Sequence, residues 1–195
     1  MHDSPPSARR LAPDAPAVGA LVARAREGDR EAQQELFFRH VSLVTGLIAR
    51  LRPSRHDLDD LVQDTFIAAF QSIGRLSDPE AFAPWVGAIA VRTTLKHLRR
   101  HRLAARLGLA ERDEIAWDLV LAPTCPPDAA LELRQLYEAL DTVPPRERVA
   151  LILRRIEGLP LEQIAEAMEE SLATVKRRIK AAEDRLRAAM DGKTR

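Results

Sequence analysis

A chain of 195 residues with 46% hydrophobic, 30% charged and only 4% aromatic side chains can bury one core or two modest ones, and it reads as soluble and helix-rich. The formal net charge of +1 excludes a uniformly basic surface, so any polyanion contact has to come from local clusters of cations. Cys125 stands alone, which excludes an internal disulfide and a cysteine-rich zinc module and fits a reducing cytoplasm; no stretch approaches the length of a membrane span.

Residues 1 to about 17 carry Pro5, Pro6, Pro13 and Pro16 with no hydrophobic period, and they read as a disordered tail. Arg9-Arg10 is not a twin-arginine export signal, because Asp14 and Arg24 interrupt the chain beyond it before an apolar core develops. A short helix is predicted from near Val18 to Glu27, stopped by Gly28. Asp29 caps the next, which runs through Leu36, Phe37, Val41, Val44 and Ile48 to about Leu51 and is closed by Pro53. The third, Asp57 to Ile73, carries Leu58, Leu61, Val62, Phe66, Ala69, Phe70 and Ile73, an apolar stripe wide enough to need partners on more than one side; Gly74 ends it. A loop from Arg75 to Pro79 leads into a fourth helix, about Glu80 to Arg102, with Phe82, Trp85, Val86, Ile89 and Ala90 inward. Aromatics at i and i+3 on such a stripe, here Phe82 and Trp85, are core residues and not platforms for bases. These four helices predict one all-α domain over residues 18–102.

Residues 103–128 lose the pattern and read as a linker, interrupted by Pro123, Pro126 and Pro127, with one helical piece around Asp113 to Val120. A second domain over 129–190 begins with a helix to Asp141, a Pro144-Pro145 corner, and a helix with Val149, Ile152, Leu153 and Ile156 inward that stops at Gly158. Two further helical patterns then stand back to back across a tight corner. The first aligns Leu161, Ile164, Ala165 and Met168 on one buried stripe; the second turns Val175, Ile179, Ala182 and Leu186 inward, with Ser171 as its N-cap near Thr174. This is the pattern of a helix-turn-helix. The fold class is therefore all-α: two small helical domains joined by a linker, the second a helix-turn-helix, with no strand and no long repeat.

The outer face of the last helix presents Thr174, Lys176, Arg177 and Lys180, a cationic surface suited to a major groove and its flanking phosphates. A second run holds Arg92, Lys96, Arg99, Arg100, Arg102 and Arg106 with no acid among them. Two separate cationic stripes imply two separate contacts with a polyanion. Asp60, Gln63 and Asp64 share one exposed face of the third helix, opposite its buried stripe, though acids there also suit the helix dipole.

Asp57-Leu58-Asp59-Asp60-Leu61-Val62-Gln63-Asp64-Thr65-Phe66 and Phe82-Ala83-Pro84-Trp85-Val86-Gly87-Ala88-Ile89-Ala90 resemble the bacterial RNA polymerase sigma factors of the two-domain, extracytoplasmic-function type. The Gly28-Asp29 corner, the Pro144-Pro145-Arg146-Glu147-Arg148 start and Thr174-Val175-Lys176 extend the resemblance over about residues 18 to 190. It implies a subunit that binds core RNA polymerase through the β′ clamp helices and β flap, melts and reads a minus-ten element with its first domain, and reads a minus-thirty-five element with its second. Promoter DNA is then a partner, and an anti-sigma factor a further one; no cofactor, metal or membrane insertion is expected. Carried onto this chain, polymerase binding falls to Asp60, Gln63 and Asp64. Minus-ten contact falls to Ser77, Asp78, Arg92, Lys96, Arg99 and Arg100, with a base pocket in the 74–80 loop. Minus-thirty-five contact falls to Ser171, Thr174, Lys176, Arg177, Arg178 and Lys180.

Two departures from the family pattern stand out, one along the fourth helix and one at the helix-turn-helix corner. Arg92 stands where the family usually has Asn, and Lys96 where it often has a short polar residue, so the minus-ten base preference does not carry over. Met168-Glu169 replaces the usual Leu-Gly at the helix-turn-helix corner, leaving Glu169 to adopt an ordinary conformation or to store strain. An enzyme is not indicated: His97 and His101 have metal-ligand spacing but sit among arginines, where phosphate contact is expected of them, and Cys125 has no histidine relay beside it. The rival reading is a one-component helix-turn-helix regulator that binds duplex DNA without polymerase.

Overall fold

The structure, a computed structural model, describes residues 16–108, 115–121 and 124–193. Among them the helices are α1 (Val18–Arg26), α2 (Arg30–Leu51), α3 (Leu58–Ser72), α4 (Phe82–Arg106), α5 (Trp117–Val120), α6 (Pro127–Asp141), α7 (Pro145–Arg155), α8 (Leu161–Met168) and α9 (Leu172–Lys193); there is no strand among the described residues. No helix among them is long and apolar enough to cross a membrane. The tail expected over residues 1–17 falls almost entirely outside the described residues, as does the start of the helical piece expected from Asp113.

Local chemistry sets the first corner. Gly28 turns the chain at φ +89°, and the Asp29 carboxylate accepts from the backbone N–H groups of Glu31 (2.9 Å) and Ala32 (3.2 Å), which caps α2. The core of the first domain forms where α2, α3 and α4 meet. Leu36, Val44, Ile48, Phe66, Ala69, Phe82 and Val86 are buried, and Phe37 packs edge-on against Phe66 at 4.7 Å. His40 lies in this core, its Nδ1–H donating to the Leu36 carbonyl at 2.8 Å. Burial pushes its pKa below the usual histidine value, so it packs as the neutral ring.

Three boundaries differ from expectation. Short 3-10 turns at Ile73–Arg75 and Pro79–Ala81 tighten both sides of the connecting loop, and α4 starts at Phe82 after the proline has been used in the second turn. At its other end α4 continues to Arg106, because Leu103, Ala104, Ala105 and Arg106 all favour a helix and nothing interrupts it before Gly108, at φ +70°. Likewise α6 begins at Pro127, since proline is well suited to the first position of a helix.

The linker does not stand clear of the first domain. The Ala116 N–H donates to the Pro53 carbonyl at 2.7 Å, Asp118 of α5 pairs with Arg55, and the Arg134 guanidinium of α6 lies 5.3 Å from the Trp117 ring centroid. In the second domain Tyr137, Leu140, Val149, Ile152, Leu153, Ile164, Met168, Val175, Ile179 and Ala182 form the core. Ile156 was expected inward but is 44% exposed. It follows the end of α7, where the chain peels away toward Gly158, and it lines an apolar cleft of about 550 Å³ with Leu136, Leu186 and Met190. The two domains pack together through α4 and α8, with Ala167 buried beside the cleft it shares with Ala88 and Val91.

Candidate nucleic-acid and polymerase interfaces

The corner between α8 and α9 is built by backbone first and ion pairs second. The Glu170 N–H donates to the Ala165 carbonyl (3.0 Å) and the Glu169 N–H to the Glu166 carbonyl (3.2 Å), the two bonds that close a helix when the next residue turns left-handed. That residue is Glu169, at φ 53° and ψ 46°, so of the two alternatives at this corner it takes the strained one, at about 1 kcal/mol. Glu170 is then held inside, its side chain only 9% exposed, where it accepts from Arg146 of α7 and, at 2.5 Å, from Arg178 of α9. Burial pushes its carboxyl upward, but the two guanidiniums outweigh that and hold it below the usual glutamate range.

Ser171 starts α9, its hydroxyl accepting from the Thr174 N–H at 3.2 Å. Lys176, Arg177 and Lys180 stand exposed on one face, with the Arg177 guanidinium donating to the Thr174 hydroxyl at 3.3 Å and Lys180 lying 3.7 Å from Asp184. Arg178 does not join that face. Its position turns it back under the corner onto Glu170, so it braces α9 from behind.

On α3, Asp60, Gln63 and Asp64 are exposed while Leu61, Val62, Thr65 and Phe66 are buried; the Thr65 hydroxyl donates to the Leu61 carbonyl at 2.7 Å. Ile67, one turn beyond Asp64 and Gln63, is 46% exposed and gives this polar face an apolar member that periodicity alone did not mark.

The 76–79 loop and α4 bring Ser77, Asp78 and Arg92 together along a cleft of about 650 Å³ between the domains. Asp78 commits one oxygen to the Glu80 N–H at 3.0 Å, capping the turn that leads into α4. Lys96 lines an adjoining cleft of about 500 Å³ with Arg75, Thr93 and Arg92, whereas Arg99 and Arg100 stand exposed further along the same helix and line neither. Phe82 is fully buried, as expected, whereas Trp85 packs against the core but stays half-buried at the seam, where it lines both clefts. Three residues advance a helix by 300°, so Trp85 stands 60° round from Phe82 and outruns the cover that α2 provides. His97 also departs from expectation, being turned inward with its Nε2 3.1 Å from the Asp57 carboxylate, while His101 stacks on it at 6.4 Å.

Residues 36–104 match the family model for Sigma-70 region 2, and residues 133–186 that for Sigma-70 region 4. Over 167 residues the chain is 33% identical to the ECF RNA polymerase sigma-E factor of Haemophilus influenzae, covering 82% of this chain and 88% of that protein. The chain belongs to the extracytoplasmic-function sigma factors. The sigma-E factor of Escherichia coli K12 is 31% identical over 180 residues, covering 89% of this sigma factor and 92% of its relative. Among solved structures, CnrH in complex with the cytosolic domain of CnrY superposes with a TM-score of 0.57 at 27% identity, over 91% of this chain and 99% of that one. The fold is also that of the sigma factor RpoE in complex with the anti-sigma factor NepR from Bartonella quintana, with a TM-score of 0.62 at 20% identity, over 83% and 98% of the two chains.

For this sigma factor, sequence reasoning left out Arg75, Trp85 and Ile67 as surface residues of the first domain, and Glu170 with Arg146 as the brace of the second. The signal for the brace was present in the order of charges. Glu170 lies eight residues before Arg178, across a corner known to be tight, and the Glu169-Glu170 pair of acids beside a strongly basic helix start invites pairing.

Proposed function

We propose that this sigma factor docks the Asp60, Gln63, Asp64 face of α3 on core RNA polymerase, takes the opened minus-ten strand along α4, and reads the minus-thirty-five duplex with the outer face of α9. As a sigma factor it is a transcription initiation factor that directs polymerase to promoters and carries out no reaction of its own, and it works in the cytoplasm where polymerase and DNA are. The observation that carries the division of labour is the pair of exposed cationic faces on separate domains, Lys96, Arg99 and Arg100 on α4 and Lys176, Arg177 and Lys180 on α9. A groove-entering helix needs its charges near its N-terminal end, and α9 has them within its first three turns, while an unpaired strand needs a longer basic track, which α4 supplies over about three turns from Arg92 to Arg102. In this reading Ser77, Asp78 and the half-buried Trp85 rim the pocket for an extruded base, whose cost of a few kcal/mol has to be offset by shape and phosphate neutralisation. Ser171 and Arg178 serve by fixing where α9 begins and how it lies. An anti-sigma factor is supported as a further partner by the complexes in which the similar structures were solved.

The test is run-off transcription with bacterial core polymerase on a randomised promoter library. Adding the chain should give initiation at promoters sharing a minus-ten and a minus-thirty-five element. Duplex DNA binding of the isolated chain with no effect on core polymerase would refute the proposal.

A further inference from the structure

We propose that α1 sets the minus-ten base preference indirectly: Arg26 and Gly19 hold the 73–80 segment by both ends and so fix the shape of the pocket rim. The inference rests on the reading of Ser77 and Asp78 as that rim. It gives a positioning role to α1, which carries none of the residues assigned to polymerase or DNA.

The segment has little of its own to keep its shape. It is built on two three-residue 3-10 turns, and the bond that closes the first, from the Leu76 N–H to the Ile73 carbonyl, is long at 3.3 Å. Support comes from α1. At one end the Arg26 guanidinium donates through Nε to the Ile73 carbonyl at 3.3 Å and through Nη2 to the Leu76 carbonyl, one planar fork spanning the turn. At the other end the Glu80 carboxylate accepts from the Gly19 N–H at 3.0 Å. That amide belongs to the first turn of α1, where the helix itself offers no acceptor and Ala17 gives no side-chain cap. Gly19 and Arg26 stand two turns apart, about 10 Å along the helix, and their partners follow in reverse order, so the segment is laid antiparallel along α1. Ser77 and Asp78 are exposed between the two attachments, next to the buried Leu76.

Glycine is what permits the second attachment. A Cβ on residue 19 would overlap the Glu80 carboxylate, and nothing else at this helical position calls for a residue that weakens a helix. The attachment also reaches the rim. One Asp78 oxygen accepts from the Glu80 N–H at 3.0 Å, so the orientation of the Asp78 carboxylate is tied to Glu80 and, through it, to Gly19. A pocket tells bases apart by where its polar groups meet the base edge, so a small displacement of Ser77 or Asp78 changes the choice.

The experiment uses the full-length chain and reads two things: amide hydrogen exchange of the protein alone, and run-off transcription with core polymerase on promoters randomised over the minus-ten element. Arg26→Ala and Gly19→Ala should each speed exchange over residues 73–81 by about 10-fold and leave the helical circular dichroism unchanged. In transcription each should narrow the preference at the position of the extruded base by about 5- to 10-fold, with the other minus-ten positions and the minus-thirty-five profile within about twofold of wild type. Gly19→Ala separates the proposal from a merely structural role, because alanine favours a helix and a role confined to the stability of α1 predicts a neutral or stabilised variant. Glu80→Gln, whose amide oxygen still accepts, should restore much of the preference that Glu80→Ala loses. Arg24→Gln cuts an ion pair of the same helix, with Asp29, that does not reach the segment, and it should move neither reading. Unchanged exchange in both Arg26→Ala and Gly19→Ala would overturn the attachment. Faster exchange with a uniform loss of transcription over all minus-ten variants would overturn the specificity role. Failure of the wild type to initiate would instead overturn the promoter reading, and the two are told apart because exchange reports the attachment without DNA.

Discussion

Replacing Glu170 by alanine removes a side chain that ties α7, the corner and α9 together. Its two oxygens accept from Arg146 and Arg178, whose side chains are 47% and 27% exposed, while Glu170 itself is 9% exposed. Each charge-assisted hydrogen bond is worth about 1.5–3 kcal/mol, but both guanidiniums can rehydrate once released, so the net loss should be about 2 kcal/mol. If the 195-residue chain melts as one unit, this corresponds to a fall of about 4–8 °C in midpoint. Glu170→Gln keeps one acceptor oxygen and should lose about half as much. The pH dependence has a definite sign. The folded carboxyl titrates below the ordinary glutamate value of 4.5, so its stabilisation is complete above that value and drains away as pH falls through it toward the lower folded value. Urea unfolding at neutral pH should therefore separate wild type from Glu170→Ala, and the gap should narrow under acid conditions. Unfolding free energies within about 0.5 kcal/mol of the wild type at neutral pH, for both variants, would refute the assignment of Glu170 as the brace.

Charge reversal at Asp60 and Asp64 together should abolish retention of core polymerase in a pull-down while leaving the helical circular dichroism unchanged, since neither side chain belongs to the Leu61, Val62, Phe66 core; a folded double variant retained at wild-type levels would remove α3 from the interface. Arg177→Ala should relax sequence preference at the minus-thirty-five element by about 1–3 kcal/mol of discrimination, whereas Lys180→Ala should weaken all sites alike and flatten the salt dependence, both read from binding to a duplex library. Arg92→Asn should shift the preferred minus-ten base in randomised-promoter transcription and leave the minus-thirty-five profile alone, because a guanidinium only donates whereas an amide also accepts; a uniform loss over all minus-ten variants would mean that Arg92 only clamps phosphate.

What could be read from the chain tracked the range of the chemistry. The Gly28-Asp29 corner, the Ser171 cap and the inward Val175, Ile179, Ala182 stripe depend on neighbours within a turn or two, and each is found where local rules predict it. Trp85, Ile156, His97 and Arg178 are different. Periodicity gives the angle at which a side chain leaves its helix, but not what stands opposite, and for these four the partner or the lack of cover comes from another segment: the rim of α2, the departing chain before Gly158, Asp57, and Glu170 beneath the corner. For the same reason Arg92 was legible as a cation and as an oddity, while its approach to Glu169, far away in sequence, was not. The docking of α5 beside Pro53 and Arg55 also joins residues that no short pattern connects.

That docking governs reach. Between Arg106 and Pro127 lie roughly 20 residues, a tether whose contour length is at most about 70 Å. With Ala116 held on Pro53 and Asp118 on Arg55, only the stretch after α5 remains to extend, at most about 20 Å. The anchors of α5 therefore act as a stop on a measuring line: while that short helix stays moored, the two domains can part by no more than the stretch between α5 and α6 allows.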